Sequence, residues 1–243
     1  MDHQSEIDKR KYRNWVRGGL AYKYLKQGLE GFADDVVKKE HNRILAAVIH
    51  TPGNNCNHCC LRNLQPLHTC KRDHTGKKTC PYGLLYCNCL HGKKQRCPTN
   101  ICDGIMEEIL KSHGSLPPQP YWRNTDIQKW CTEPWEVAKC YINAPGYSDK
   151  TKAADIDIYG LLHVFINNTS LYSHLACSMT GSSNIFTKVR GRRNSIFHSP
   201  TMEMEDTELT ECVDDIIAIL EDTTELKMRK DAQQAVTNLN KIL

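Results

Sequence analysis

The chain has 243 residues, of which 40% are hydrophobic and 25% are charged, and its formal net charge is +4. This length is enough to bury a hydrophobic core, and the composition is that of an ordinary globular protein rather than a fibrous or intrinsically disordered one. No run of about 18 apolar residues is present, which excludes a membrane-spanning helix, and the N-terminus lacks a basic start followed by an apolar block, so we expect no secretory signal.

Charge is distributed unevenly along the chain. Residues 51–103 contain eight Lys or Arg and two Asp, a net charge of +6. Residues 186–198 contain four cations and no acid, whereas residues 201–243 contain eleven acids and four bases, a net charge of −7. Basic stretches of this kind favour a polyanionic partner, and the alternative is a solvated basic surface with no partner.

Two helices are predicted at the start of the chain. Apolar residues at helical spacing predict a helix over residues 6–28. The following Gly28-Leu29-Glu30-Gly31 predicts its end, because glycine is common where helices stop. A second helix is predicted over residues 33–50. We expect residues 1–50 to form N-terminal helices that pack on a bundle formed by a later part of the chain.

Nine of the thirteen cysteines fall between Cys56 and Cys102, together with four histidines. In a chain without an export signal this clustering favours zinc, and a disulfide-rich extracellular knot is the alternative. Zinc takes four ligands in a tetrahedron, and closely spaced cysteines supply two of them from one loop. Cys56-x-x-Cys59 is one such pair and Cys97-x-x-x-x-Cys102 is a second. We predict that these four cysteines bind the metal.

Residues 51–103 are therefore predicted to be an irregular, zinc-stabilised Cys/His-rich insertion. The segment has few large apolar residues, so a metal would supply the stability that a core does not. One or two zinc ions are expected, since further cysteines and histidines are available for a second site: Cys70, Cys80, Cys87, Cys89, His58, His68, His74 and His91. No HExxH or deaminase-type signature accompanies them, so we expect the zinc to be structural rather than catalytic.

Short helices and a proline-rich loop are predicted for residues 104–150. A helix is expected from Ile101 to His113, and the Pro117-Pro118-x-Pro120 loop follows it. Pro134 is suited to the first turn of another helix.

The last third of the chain, residues 151–243, is predicted to form a helical bundle. Residues 155–167 are apolar almost all round, which is typical of a buried helix. Residues 183–198 and two further amphipathic segments follow at helical spacing. Good strand patterns are absent. The predicted fold class is all-α, with the cysteine-rich segment as an irregular insertion.

A basic motif ends the predicted helix over residues 183–198. Arg193, Asn194 and His198 combine a permanent cation suited to phosphate with a group that moves a proton near neutral pH. These are the groups that metal-independent RNA cleavage needs, and they are the candidate catalytic residues. The neighbouring cations are predicted to bind RNA: Lys188, Arg190 and Arg192. The alternative is structural, with Arg193 paired to Asp214 or Asp215 and His198 capping the helix.

This motif resembles the signature of HEPN domains, the higher eukaryotes and prokaryotes nucleotide-binding fold. Arg193 and His198 match the Arg-x4–6-His pattern at the end of a helix, Asn194 holds the common polar second position, and Ser199-Pro200 closes the helix. The buried helix before the motif is similar to the arrangement in HEPN domains of RING-type ubiquitin ligases. The resemblance implies an antiparallel helical bundle and, in many members, a ribonuclease site formed across a homodimer.

The resemblance also implies roles for the motif residues. His198 would take the proton from a ribose 2′-hydroxyl, which attacks the adjacent phosphate and leaves a 2′,3′-cyclic end. Arg193 would stabilise the charge of the transition state, and Asn194 would orient His198 or a phosphate.

The chain as a whole looks like a small animal family with a human member encoded on the X chromosome. The matching landmarks span residues 10–200: Tyr12-x-x-Trp15, Gly28-Leu29-x-Gly31-Phe32, Trp122-x-Asn124, Trp135-Glu136-Val137-Ala138-Lys139 and Arg193-Asn194-x-x-x-His198-Ser199. This family implies a fold but no settled function.

We expect a cytoplasmic or nuclear, HEPN-like protein that binds single-stranded RNA, acts as a homodimer and does not bind membranes. Metal-independent endoribonuclease activity is the catalytic form of this hypothesis. The alternatives are a non-catalytic nucleic-acid sensor and a homodimeric adaptor whose zinc insertion recognises a protein partner. A salt-insensitive partner interaction, with no effect of an Arg193 substitution on RNA affinity, would favour the adaptor. Steeply salt-dependent binding that leaves the RNA intact would favour the sensor.

Overall fold

The structure is a computed structural model, and it describes residues 9–61, 64, 71–79, 96–181 and 184–243. Helices dominate these residues, which confirms the all-α class. The α-helices in chain order are α1 (Arg10–Val48), α2 (Ile101–Lys111), α3 (Pro134–Ala138), α4 (Ile158–Asn167), α5 (Ile185–Phe197), α6 (Asp206–Leu220) and α7 (Lys230–Leu239). Short 3-10 helices occur at Trp122–Asn124, Ile127–Lys129, Lys139–Tyr141, Ala153–Asp155, Thr169–His174 and Leu226–Met228.

A small antiparallel hairpin lies within the cysteine-rich segment and was not predicted. Strand β1 (Lys71–Arg72) pairs with β2 (Lys78–Thr79), with Lys71 opposite Thr79. Asp73 forms the turn, because its Oδ1 accepts hydrogen bonds from the backbone N–H groups of Thr75 and Lys77. Two residues a strand are too few for an alternating hydrophobic pattern, so the sequence carries no strand signal here.

The chain divides into two compact units. The first consists of Met1–Asp34, Ile156–Leu162 and Tyr172–Leu243, and the second of Asp35–Asp155 and His163–Leu171. Both units are discontinuous in sequence. The four contiguous segments of the sequence analysis (1–50, 51–103, 104–150 and 151–243) stay a prediction about organisation along the chain.

In the first unit, α6 packs against both α5 and α7. A capping box starts α6, in which the side chains of Glu205 and Glu208 each accept a backbone N–H at the helix start. The buried side chains of this unit include Tyr22, Leu25, Leu29, Phe32, Leu161, Phe186, Val189, Val213, Ile216 and Leu220. Apolar burial of this kind stabilises the helices more than their intrinsic propensity does.

The predicted break between two N-terminal helices is wrong, because α1 continues without interruption through Gly28 and Gly31. A Cβ atom on Gly28 would lie 2.6 Å from Leu220 Cδ2 and 2.9 Å from Ala235 Cβ. A Cβ atom on Gly31 would lie 2.6 Å from Arg229 Nη2 and 2.6 Å from Asp231 Oδ2. The two glycines therefore permit close packing against the C-terminal part of the chain instead of ending the helix.

In the second unit, the buried face of α2 forms the centre of the hydrophobic core. The core cluster includes Ile44, Leu64, Ile101, Ile105, Ile109, Trp130, Val137 and Tyr141. Pro134 opens α3 at the first turn, as predicted. Lys139 is fully buried, and its Nζ donates to Glu136 Oε1 at 2.8 Å and to the Ser148 carbonyl at 2.9 Å, which satisfies the buried charge.

A buried carboxylate holds a loop of the first unit to the end of α6. Asp222 accepts backbone N–H groups of Ala176, Cys177 and Thr224 at 2.8–3.1 Å. Burial opposes ionisation of Asp222, but these hydrogen bonds outweigh it and lower the pKa of its carboxyl below the ordinary value of 3.8.

Among the described residues, no helix is both long and apolar enough to cross a membrane.

We predict that Gly28→Ala destabilises the protein. The added methyl overlaps Leu220 and Ala235 and should cost about 1–3 kcal/mol of unfolding free energy. Gly19→Ala is the matched control on the same helix, since nothing lies within 4 Å of its Cβ position. There the better helix propensity of alanine should stabilise the protein by about 0.5–1 kcal/mol. Urea unfolding of both variants checks the prediction, and equal effects would contradict it.

We predict that Asp222→Asn lowers the unfolding free energy by about 2 kcal/mol near neutral pH, because the N–H donors lose a charged acceptor. A carboxyl whose pKa is lowered on folding stabilises the protein above its unfolded pKa, and this stabilisation disappears as the pH falls through the folded pKa. The difference between wild type and variant should therefore shrink as unfolding is measured from pH about 6 to about 3. A constant difference over this range would rule out the ionised carboxylate as its source.

Candidate functional site

Four cysteines of the second unit come together in one place. The cysteine cluster consists of Cys56, Cys59, Cys97 and Cys102. All four are buried, their sulfur atoms lie within 4.8 Å of one another, and the sulfurs of Cys56 and Cys59 are 3.5 Å apart. Four sulfurs at about 2.3 Å from a tetrahedral zinc ion would lie about 3.8 Å from each other. The cluster can therefore hold a metal ion, and its members are the four cysteines predicted from their spacing.

A turn and a helix start bring the second pair of sulfurs together. The Asn100 N–H donates to the Cys97 carbonyl at 2.9 Å, and Asn100 adopts a left-handed conformation with φ of 59°. Asparagine tolerates this conformation better than most residues. Asn100 is also the residue before α2, so Cys102 stands in the first turn of the helix. The four residues between Cys97 and Cys102 thus form a turn that returns to the first cysteine.

Three side chains outside the cluster contact its loops. Asp103 Oδ2 accepts the Cys97 N–H at 2.7 Å, and the Thr99 hydroxyl lies 3.2 Å from Cys97 Sγ. The Cys56 N–H donates to Cys131 Sγ at 3.4 Å. None of these contacts was predicted from the sequence. Asp103 follows a predicted ligand directly, which is a weak signal, but Cys131 is 75 residues from Cys56 and has none.

Burial shapes the acid–base behaviour of the sulfurs. It raises the pKa of Cys59 to about 12, with further contributions from Cys56 and Cys97, and it also raises the pKa of Cys102. Burial opposes ionisation of Cys97 too, but hydrogen bonds from Thr99 and Cys102 lower its pKa to about 7. Cys59 and Cys102 therefore resist ionisation unless a cation lies among the sulfurs, and a bound metal supplies that cation.

The basic motif lies on α5 in the first unit. Asn184 precedes this helix, and its side chain accepts the Thr187 N–H at 2.9 Å, which caps the helix start. The helix ends at Phe197, and the N–H of His198 donates to the Asn194 carbonyl at 3.0 Å. His198 is thus the residue that caps the end of α5, as the structural alternative expected.

Two of the predicted RNA-binding cations face the acidic helix α6. Lys188 Nζ lies 2.7 Å from Asp215 Oδ1, and Arg192 Nε lies 2.8 Å from Asp215 Oδ2. Arg192 also contacts Glu211 at 2.6 Å. The alternative that Arg193 pairs with Asp214 or Asp215 names the wrong cation, because Asp215 pairs with Lys188 and Arg192. These ion pairs neutralise Lys188 and Arg192 where they stand.

Arg193 is held by aromatic rings. Its guanidinium carbon lies 5.3 Å from the ring centroid of Tyr159 and 4.7 Å from that of Phe197, which are cation–π distances. Its Nη1 has a long contact of 3.5 Å with Asn194, and its buried Nε has no hydrogen-bond partner. In the part of the chain that the structure describes, Arg190 and Arg193 form no ion pair with a carboxylate.

His198 lines a groove of about 350 Å³ together with Arg192, Ser195, Ser199, Glu203 and Glu208, among others. Arg193 is not among the residues that line it. Arg193 and Asn194 contact each other, and His198 lines a groove whose cation is Arg192. The catalytic roles of these three residues stay a prediction.

Most residues predicted for a second metal site lie outside the described residues: Cys70, Cys80, Cys87, Cys89, His68 and His91. Of the described residues, the cysteine cluster is the single group of three or more Cys, His, Asp or Glu placed to hold a metal ion.

The family model of a domain of unknown function, DUF4559, matches residues 7–243. A mouse (Mus musculus) protein described as an uncharacterised CXorf38 homolog is 29% identical over 196 residues. The match covers 81% of this chain and 51% of the mouse protein, so the chain spans about half the length of the curated relative it matches. No solved structure matches the chain. The resemblance to the X-chromosome animal family is supported by this relative, whereas none of these matches is a HEPN domain.

Proposed function

Because the chain belongs to the DUF4559 family, whose name assigns no activity, we propose a function from its own residues: it is a zinc-binding protein whose cysteine cluster holds one structural Zn²⁺. The observation that carries this proposal is the convergence of four buried sulfurs within 4.8 Å of one another. Soft thiolate ligands select zinc over the oxygen-preferring cations magnesium and calcium. Four protein ligands complete a tetrahedron and leave no open position for a substrate, which favours a structural role.

The proposed metal would stabilise the second unit at its core. All four cysteines belong to the same hydrophobic cluster as Ile101, Ile105 and Trp130. A bound Zn²⁺ would tie the loop that contains Cys56 and Cys59 to the start of α2. Because metal affinity appears as folding free energy, loss of the ion should loosen this core and not only the loop.

We predict that the Cys56→Ser/Cys59→Ser double variant loses one equivalent of zinc per chain relative to the wild type. Serine is a poor zinc ligand, and two remaining thiolates do not complete a tetrahedron. Elemental analysis of the purified full chain measures the difference, whatever total the wild type carries. The matched control is Cys177→Ser, a part-buried cysteine of the first unit that should leave the zinc content unchanged.

A second measurement covers the case in which the double variant misfolds. Cobalt bound to the wild type should show the strong visible absorption of a tetrahedral thiolate site, and zinc should displace it. A wild type that binds neither metal at one equivalent would overturn the proposal, and so would a folded double variant with unchanged zinc content.

RNA binding by a HEPN-like bundle is the second candidate function, and one observation favours it. Arg190 and Arg193 remain outside the ion pairs that engage Lys188 and Arg192, so the guanidinium groups on this side of α5 can bind phosphate. On a helix, Arg190, Arg193 and Asn194 are at positions i, i+3 and i+4, which share a face. Cleavage would require His198 and a phosphate-bound arginine to meet, and a homodimer would supply that arrangement.

We predict that Arg190→Gln/Arg193→Gln weakens binding of single-stranded RNA about tenfold or more and lowers the salt dependence of the affinity, because two phosphate contacts are removed. The matched control is Lys188→Gln/Arg192→Gln, which removes the same charge from cations already paired with carboxylates and should have a smaller effect. Fluorescence anisotropy at several salt concentrations measures both. Equal losses in the two variants would indicate net charge and not a defined contact face.

The same RNA tests whether the protein also cleaves RNA. Incubation without added divalent metal and without a strong chelator should produce 2′,3′-cyclic ends if the site cleaves, and His198→Ala should lower the rate by about two to four orders of magnitude. If the protein binds the RNA but the RNA remains intact, the protein binds RNA without cleaving it. The absence of RNA binding would leave the zinc proposal standing and favour an adaptor role.

A further inference from the structure

One aromatic side chain beside Arg193 is unusually exposed. Phe197, the last residue of α5, has 46% of its surface exposed, although phenylalanine is among the residues that are most often buried. Its ring meets that of Tyr22 edge to face, with centroids 6.1 Å apart and an interplanar angle of 68°. The Arg193 guanidinium lies over the same ring. Phe197 is therefore held in position by two neighbours while much of its ring faces solvent.

Arg193 lies over two aromatic rings. Its guanidinium carbon is 5.3 Å from the ring centroid of the half-buried Tyr159 and 4.7 Å from that of Phe197. A planar cation that lies over aromatic rings can be fixed without a carboxylate, so its positive charge is available to a ligand. Among the described residues, an exposed aromatic side chain and a cation without a carboxylate partner therefore lie side by side.

These two features are the ones that sites for single-stranded nucleic acid combine. Unpaired bases stack on aromatic rings, and the adjacent phosphates contact arginine. Arg190 adds a second cation on the same face of α5, seven residues or about 10 Å along the helix from Phe197. The spacing suits an extended strand that follows the helix from Phe197 towards Arg190.

We infer that the exposed ring of Phe197 is a stacking site for an unpaired RNA base, with Arg193 and Arg190 binding the neighbouring phosphates. This inference rests on the proposed RNA binding and specifies its substrate class. The ligand is single-stranded RNA, because the bases of a duplex are stacked on one another and cannot reach the ring. A free nucleotide offers the same base and phosphate chemistry but contacts fewer of these residues.

The test uses the whole 243-residue chain, supplied with zinc, and a single-stranded RNA that carries the fluorescent base 2-aminopurine. Phe197→Leu keeps an apolar side chain against Tyr22 but removes the stacking surface, and Phe197→Trp enlarges that surface. We expect Phe197→Leu to weaken binding about 5- to 100-fold and to abolish stacking-dependent quenching of 2-aminopurine. Phe197→Trp should retain both the affinity and the quenching. Thermal unfolding of the three proteins confirms that each is folded.

The control ligands and variants separate failure of this inference from failure of RNA binding itself. If Arg190→Gln/Arg193→Gln loses RNA affinity while Phe197→Leu binds and quenches like the wild type, the stacking site is overturned and RNA binding stands. If duplex RNA binds as tightly as single-stranded RNA, or a nucleoside monophosphate binds as tightly as the oligonucleotide, the assigned substrate class is overturned. If the wild type binds no RNA, the proposed RNA function fails and the inference fails with it.

Discussion

The second unit depends on the convergence of four buried cysteine sulfurs. Burial makes the ionised thiols costly, and neighbouring sulfurs raise the cost further, as the raised pKa of Cys59 records. A cation among the sulfurs reverses this balance, because each thiolate then gains a favourable partner. The hydrophobic cluster that surrounds the cysteines includes Trp130 and the buried face of α2, so the same place supports metal coordination and core packing. Binding of a metal ion by these cysteines would therefore be linked to folding of this unit.

In the first unit, pairing with the carboxylates of α6 decides which cations of α5 can bind another anion. The acidic helix α6 engages Lys188 and Arg192 through Asp215, whose side chain is only 12% exposed. A nearly buried carboxylate needs such partners more than an exposed one does, since leaving it unpaired is costly. Arg190 and Arg193 are left for other contacts, and the rings of Tyr159 and Phe197 hold Arg193. Among the described residues, Lys188 and Arg192 of this helix are therefore paired with carboxylates, whereas Arg190 and Arg193 are not.

A glycine in a helical sequence can indicate either the end of the helix or a place where the helix packs closely against a neighbour. From the sequence alone, Gly28 and Gly31 indicate a helix end, because glycine is common there. The structure uses them inside α1, where the missing side chain lets Leu220 and Ala235 approach the backbone. The partners that distinguish these roles lie about 200 residues away in the chain. No local pattern carries that information.

Features that depend on short spacing along the chain could be predicted from the sequence. The all-α class follows from apolar residues at helical intervals, and the cysteine cluster follows from two pairs separated by two and four residues, because a single turn brings each pair together. Features that depend on partners far away in the chain could not be predicted from the sequence. Cys131 contacts the backbone of Cys56, and Asp215 pairs with Arg192 and not with Arg193, because helix packing and buried charge, not sequence neighbourhood, set which side chains meet.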